Sequence, residues 1–340
     1  MRRVLLATLL AVMSVSLHAQ RARVDAVTAD PIERGDLFGA VTHYWGDVMP
    51  ARMRELGANW VRVHCSWADV QRTPNADPST WDWGCPDQAM AAARQGFHVM
   101  YGMGYAPSWA NGGRSTNYAP TGEFVAAWAH YCAELMRRYR GLGVVYEVWN
   151  EPNLDIFFMG SFEDYVNLVR SASQALRAED PTGRLSGPET SNLNTPGRES
   201  WHADAVSRLG SMFDVVTTHW YCGRSCGGTA SAIAGQLMAY LQPKIAQVPV
   251  GVPFWLTETG SDTTNDATQA LFYEGVLTAY QRTFATSRRN RPAWQNVFFY
   301  HLLAPDNATI VWLDAARTPR QAFRRYQEWI NDRPLAVPRK

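Results

Sequence analysis

The chain reads as a single (β/α)8 barrel of the α/β class, on three observations. Eight short β-rich runs alternate with eight longer helical stretches over about 300 residues, the rhythm of eight βα units. Neither a low-complexity linker nor an abrupt change of composition divides the 340 residues. Acidic side chains recur where strands end, which is where a barrel of this kind keeps its chemistry.

The strands follow in order. Phe38–His43 is a short run before the proline-led helix Pro50–Leu56. Trp60–Cys65 sets Val61 and Val63 in alternation with Arg62 and His64, and a helix over Asp87–Gln95 follows. His98–Met103 leads through an aromatic loop to the helix Glu123–Tyr139. Val144–Val148 is stopped by Pro152, which removes a backbone donor and fixes the turn, and precedes the helix Phe162–Glu179. Arg184–Gly187 pairs with the helix Ser200–Leu209, Val215–His219 with Ala230–Ala246, Phe254–Thr257 with Ala267–Phe284, and Val297–His301 with Arg320–Asn331. A doubly wound open sheet is the competing architecture. It usually carries a glycine-rich phosphate turn after an early strand. Here Gly102-Met103-Gly104 lacks the third glycine, and no lysine of the phosphate-loop type follows a glycine run.

Residues 1–19 have the pattern of a secretory signal peptide, with Arg2 and Arg3 before the apolar Val4–Val15 and small-residue cleavage at Leu17-His18-Ala19. That apolar stretch is shorter than the roughly 20 residues a spanning helix needs. The expectation is a secreted or periplasmic protein whose residues 20–340 form one domain. Five cysteines suit an oxidising compartment. Cys222 and Cys226 flank a tight glycine-rich loop and are expected to pair, Cys65 and Cys85 can bridge another, and Cys132 reads as a buried thiol. With 32 basic against 31 acidic residues, nothing points to a nucleic-acid partner.

Two strand ends carry the chemistry. The fourth runs Val145-Tyr146-Glu147-Val148-Trp149-Asn150-Glu151-Pro152-Asn153, and the seventh Leu256-Thr257-Glu258-Thr259-Gly260. Strands four and seven lie on different sides of one barrel mouth, so Glu151 and Glu258 can face each other across it. Opposed carboxyl groups are what glycoside hydrolysis requires, one protonated and one charged. Asn150 brings an amide able to bond a neutral hydroxyl. His219 and Tyr221 share a parity on strand six, and Tyr221 can hold Glu258 charged by donating to it. Arg62, a lone charge on an inward position, needs a carboxylate, either Glu147 or Glu258.

These residues carry a family resemblance. Trp149-Asn150-Glu151-Pro152-Asn153 resembles the acid/base motif of clan A retaining glycoside hydrolases, Leu256–Gly260 their strand-seven nucleophile, and His219-Trp220-Tyr221 their strand-six H-x-Y. Gly57-Ala58-Asn59-Trp60, Val61-Arg62-Val63 and Ser66-Trp67-Ala68-Asp69 are similar to the early strands of glycoside hydrolase family 39. The resemblance implies Glu151 as general acid/base, Glu258 as nucleophile, Asn150 on the sugar 2-hydroxyl, retention of configuration, and no cofactor or metal. It is to the compact members that cut exopolysaccharides internally, because the extra β-sandwich of the family's β-xylosidases has no counterpart here. His64 stands where those relatives carry an acid.

The expected activity is endo-cleavage of a β-linked bacterial exopolysaccharide or plant cell-wall polysaccharide by a monomer. An exo-acting, β-xylosidase-like enzyme and a non-catalytic carbohydrate-binding barrel are the alternatives. A metal hydrolase lacks its H-E-x-x-H. Fourteen tryptophans and fourteen tyrosines exceed what a core alone ordinarily needs. Trp45, Trp67, Tyr105, Trp109, Trp220 and Tyr300 are the expected sugar platforms, with Tyr44 beside the first and His301 at the floor.

Overall fold

The computed structural model describes residues 34–332, apart from 44, 47, 223–227, 262, 264, 287–293, 301, 303–311 and 314–317. Eight parallel strands close into a barrel in sequence order: β1 Phe38–Val41, β2 Trp60–Ser66, β3 His98–Gly104, β4 Val145–Val148, β5 Arg184–Thr190, β6 Val215–Tyr221, β7 Phe254–Gly260 and β8 Asn296–Phe299. β1 pairs with β8 through Phe38–Val297, Gly39–Phe298 and Ala40–Phe299, which closes the ring. Each strand is followed by a helix: α1 Met49–Leu56, α2 Gly84–Arg94, α3 Val125–Arg138, α4 Phe162–Glu179, α5 Trp201–Leu209, α6 Ala230–Ile245, α7 Asp266–Thr286 and α8 Gln321–Asp332.

Local chemistry accounts for the helix ends. Pro50 sits in the first turn of α1, where its missing N–H costs nothing, and Gly57 ends it at φ 74°, a left-handed conformation suited to glycine. Ser161 and Asp164 form a capping box that fixes the start of α4. Thr229 caps α6 by accepting from the Ala232 N–H. Among the described residues no helix is long and apolar enough to cross a membrane.

The lower barrel is filled by Val41, Trp60, Met100, Val145, Val215, Trp255 and Phe298. Trp60 meets Trp255 edge to face at 4.9 Å, and the Arg184 guanidinium lies over both rings. This apolar plug leaves only the upper end for polar side chains. The layer above Trp60, Val145 and Val215 holds Arg62, Glu147 and Thr217, two residues further along their strands.

Strands β5, β6 and β7 run to Thr190, Tyr221 and Gly260, past the ends expected from the sequence. Register shifts accompany the extra length in β5 and β7. Gly187 pairs with Val216 but Thr190 with Thr218, so β5 carries one surplus residue there. Thr218 pairs with Leu256 but His219 with Glu258, so β7 does likewise. Such a bulge reverses which side chains face inward. Trp255 and Thr257 already point into the barrel. Strict alternation would send Glu258 outward, and the bulge turns it to the mouth instead.

Cys65 on β2 and Cys85 on α2 form a disulfide, and Cys132 on α3 is a buried free thiol. Cys222 is disulfide-bonded, while its expected partner Cys226 lies outside the described residues.

Candidate active site

Arg62 organises the centre of the barrel. Its Nε donates to Glu147 Oε2 at 2.7 Å and its Nη2 to Glu147 Oε1 at 2.5 Å, a bidentate pair. Its Nη1 donates to Glu258 Oε2 at 2.6 Å and its Nη2 also to Asn150 Oδ1 at 3.0 Å. The two partners the sequence offered as alternatives are both engaged. Burial pushes Glu147 up to about 7 against the opposing pull of Arg62. The last contact orients Asn150, since with Oδ1 held by the guanidinium the amide NH2 is the end left to meet a ligand.

Glu258 is served from three sides. Tyr221 donates its hydroxyl to Oε1, Arg62 holds Oε2, and His219 Nδ1 stands 3.7 Å from Oε2. Burial alone would raise this carboxyl, but the charges of His219 and Arg62 and the hydrogen bond from Tyr221 outweigh it and hold Glu258 below the ordinary carboxylate range.

Glu151 sits in the turn after β4. Trp149 and Glu151 adopt φ 67° and 42°, left-handed conformations that β-unbranched residues accept only under constraint. The constraint is visible: Trp149 N–H donates to Met103 O at 2.6 Å, its indole donates to Phe157 O at 2.7 Å, and Glu151 N–H donates to Glu189 O at 3.1 Å. Asn153 then ties this turn to the next loop, donating to Leu193 O at 2.6 Å and accepting from Ser191 N–H at 2.9 Å. Glu151 Oε1 lies 3.0 Å from His219 Nδ1, within hydrogen-bond reach.

His219 is fully buried. Its second nitrogen, Nε2, faces Oε2 of Glu189 at 3.2 Å. Burial would strip its proton, yet the Glu258 charge and the hydrogen bonds to Glu151 and Glu189 push it up to about 10. Glu189 was not anticipated from the sequence. It closes β5 in Gly187-Pro188-Glu189-Thr190, with φ 53° at the bulge, and is 0% exposed. An acid at the end of a barrel strand was the available signal, the same one that marked Glu151 and Glu258. His64, beside them on β2, is held neutral by burial and by the Arg62 charge, with its pKa lowered to about 3.

Carboxylate and imidazole atoms of Glu151, His219 and Glu258 all lie within 4.8 Å of one another, as do those of Glu147, Glu189 and His219. Either trio has the donor types of a cation site. In both, however, Arg62 and His219 already supply the positive charge that the carboxylates face.

The aromatic expectations divide. Tyr105 stands near the mouth, its ring between His64 at 5.1 Å and Trp149 at 5.7 Å. Tyr300 meets Tyr221 edge-on at 6.0 Å, and its hydroxyl lies 3.2 Å from His43 Nε2. Trp45 and Trp67 do not serve as platforms. Trp45, 2% exposed, packs on Phe97, and Trp67, 0% exposed, is enclosed by Trp109, Trp128 and Tyr131. Trp220 likewise stacks flat on Phe272 in the core. Their bulk was read as ligand surface, but barrel–helix packing takes it up. Trp109 is half-buried against Trp67 and Phe124, with its indole donating to Gln71 O at 3.0 Å. Tyr44 and His301 lie outside the described residues.

Comparison with known proteins agrees with this geometry. Residues 102–259 match the family model Glycosyl hydrolases family 39. A β-xylosidase of Caldicellulosiruptor saccharolyticus is 35% identical over 80 residues, 22% of this chain and 15% of that protein. The fold matches a family 39 glycoside hydrolase from Bacteroides cellulosilyticus WH2 at a TM-score of 0.63 and 18% identity, covering 88% of this chain and 64% of that one. A monomeric β-xylosidase from Caulobacter crescentus CB15 gives 0.64 and 19%, covering 88% and 68%. The chain therefore spans only a small part of the curated relative and about two thirds of the solved ones. The match to the family 39 model lies in the segment carrying Asn150, Glu151, His219 and Glu258, and the solved structures share the barrel fold.

Proposed function

We propose that this chain of family 39 type is a retaining β-glycosidase in which Glu151 is the general acid/base and Glu258 the nucleophile. The observation that carries the reading is that oxygens of the two carboxyl groups approach within 4.8 Å. Double displacement needs carboxyl groups about 5–5.5 Å apart, whereas inversion leaves about 6.5–9.5 Å for a water.

The residues then take definite roles. The Glu258 carboxylate attacks the anomeric carbon as the glycosidic C–O bond breaks, and the proton of Glu151 passes to the departing oxygen. His219 occupies Oε1 of Glu151, so the transferable proton belongs on Oε2. Water then attacks the glycosyl-enzyme ester, giving its proton to Glu151 and releasing Glu258. Asn150, oriented by Arg62, presents its NH2 to the hydroxyl beside the reacting carbon.

Within this reading the substrate is a β-linked polysaccharide cut internally, by a monomer acting outside the cytoplasm after loss of residues 1–19. The Cys65–Cys85 disulfide and the apolar N-terminal pattern support the compartment. The resemblance to exopolysaccharide-cutting members supports internal cleavage. The exo-acting alternative is favoured by the names of the relatives, two of which are β-xylosidases.

The test uses an activated aryl β-glycoside and a panel of β-linked polymers. Glu258→Gln should lose several orders of magnitude in rate. Glu151→Ala with added azide should release β-glycosyl azide. Long oligosaccharides as first products support internal cleavage, and monosaccharide alone supports the exo alternative. An inverted first product, or full turnover in both variants, overturns the reading.

A further inference from the structure

We propose that Glu189 is a positioning residue, which holds His219 as an imidazolium against the acid/base Glu151 and thereby sets the pH above which activity is lost. The inference rests on the assignment of Glu151 made above.

The geometry is that of a clamp. Carboxylate oxygens face both ring nitrogens of His219, Glu151 Oε1 at Nδ1 and Glu189 Oε2 at Nε2. Glu189 as a carboxylate is an acceptor only, so Nε2 must bring a proton; with the Glu151 proton on Oε2, its Oε1 accepts from Nδ1, and a ring carrying both protons is an imidazolium. Glu189 is itself fixed. Thr257 Oγ1 donates to its Oε2 at 2.6 Å, Ser186 Oγ to its Oε1 at 3.1 Å, and its own N–H donates to Thr217 Oγ1 at 3.2 Å. Despite burial, the hydrogen bonds and charge of His219 hold it below the ordinary carboxylate range. At 0% exposure it cannot reach a sugar, and its side-chain path to Glu151 runs through the His219 ring.

The charges facing His219 come from four strands of the barrel. They are Arg62 and neutral His64 from β2, Glu147 and Glu151 from β4 and its turn, Glu189 from β5, and Glu258 from β7. Removing one negative charge from this set makes every remaining proton easier to lose. The sign is therefore independent of whether Glu151 or His219 loses its proton first. The alkaline limb of kcat/KM moves to lower pH, and a charge within hydrogen-bond reach shifts such a titration by about 1 unit or more.

The experiment compares wild type, Glu189→Gln and Glu189→Asp by pH-rate profile and by NMR of 15N-histidine-labelled protein, with His219→Gln identifying the resonance. Glutamine keeps the shape and can still accept from Nε2. The wild-type His219 ring should remain doubly protonated far above pH 6.5. In Glu189→Gln its titration and the alkaline limb should fall together by about 1 unit or more, while Glu189→Asp, which keeps the charge, should hold most of the wild-type value. A singly protonated wild-type ring at neutral pH overturns the proposal without any variant, which decides the matter even if Glu189→Gln does not fold. An unmoved titration in Glu189→Gln, or an equal fall in Glu189→Asp, also overturns it. If wild type shows no glycosidase activity, the NMR arm still decides the clamp, and the failure falls on the assignment of Glu151.

Discussion

Tyr221→Phe isolates the force that keeps Glu258, the proposed nucleophile, charged. Tyr221 donates to Glu258 Oε1, whereas Arg62 and His219 both address Oε2. The substitution therefore strips one oxygen of its donor and leaves the other served. It deletes a single oxygen atom and keeps the ring that meets Tyr300, so no cavity opens. Burial and the neighbouring Glu258 charge raise the Tyr221 hydroxyl well above its ordinary pKa, so it stays a donor throughout the working range. A hydrogen bond to a charged group contributes about 1.5–3 kcal/mol, and one pKa unit corresponds to about 1.4 kcal/mol. Losing it should raise Glu258 by about 1–2 units. The charged form of Glu258 disappears as pH falls through its pKa, so a higher pKa brings the loss on sooner. The acidic limb of kcat/KM for an aryl β-glycoside should move up by about 1–2 pH units, and the alkaline limb should stay close to its wild-type position. An acidic limb unmoved in Tyr221→Phe would refute the view that this hydroxyl, and not Arg62 alone, keeps Glu258 ionised.

Three further outcomes are expected. Arg62→Met takes from the buried Glu147 its bidentate partner and should cost about 3–5 kcal/mol in denaturant unfolding, with Glu147→Gln in the same chain restoring a large part; additive losses in the double variant would show that the pair does not couple. A methyl group on Gly102 would stand 2.2 Å from His64 Cδ2, so Gly102→Ala should destabilise by about 1–3 kcal/mol and His64→Ala should relieve it, as thermal unfolding of the single and double variants will show. Reducing Cys65–Cys85, which spans 20 positions, should lower stability by about 3 kcal/mol; an unchanged unfolding midpoint in the Cys65→Ser/Cys85→Ser variant would count against it.

The sequence alone determined the eight βα units, because each is written in local chemistry: short apolar strands, proline and glycine at the helix ends, and a capping box at Ser161. It also marked Glu151, Glu258, Asn150, His219 and Tyr221, because acids and amides at strand ends are conspicuous against apolar strands. What it could not supply was direction. Parity along β7 would turn Glu258 outward, and only the bulge against β6 turns it in. The bulge on β5 does the same for Glu189, whose importance depends on His219 from β6 arriving on the same side. Trp45, Trp67 and Trp220 were misjudged for a related reason. A tryptophan's size is local, but whether its face meets solvent or another ring is decided by helices packed from elsewhere in the chain. Composition and periodicity specify which elements form, whereas the closure of the barrel, with its slips of register, decides which side chains meet inside it.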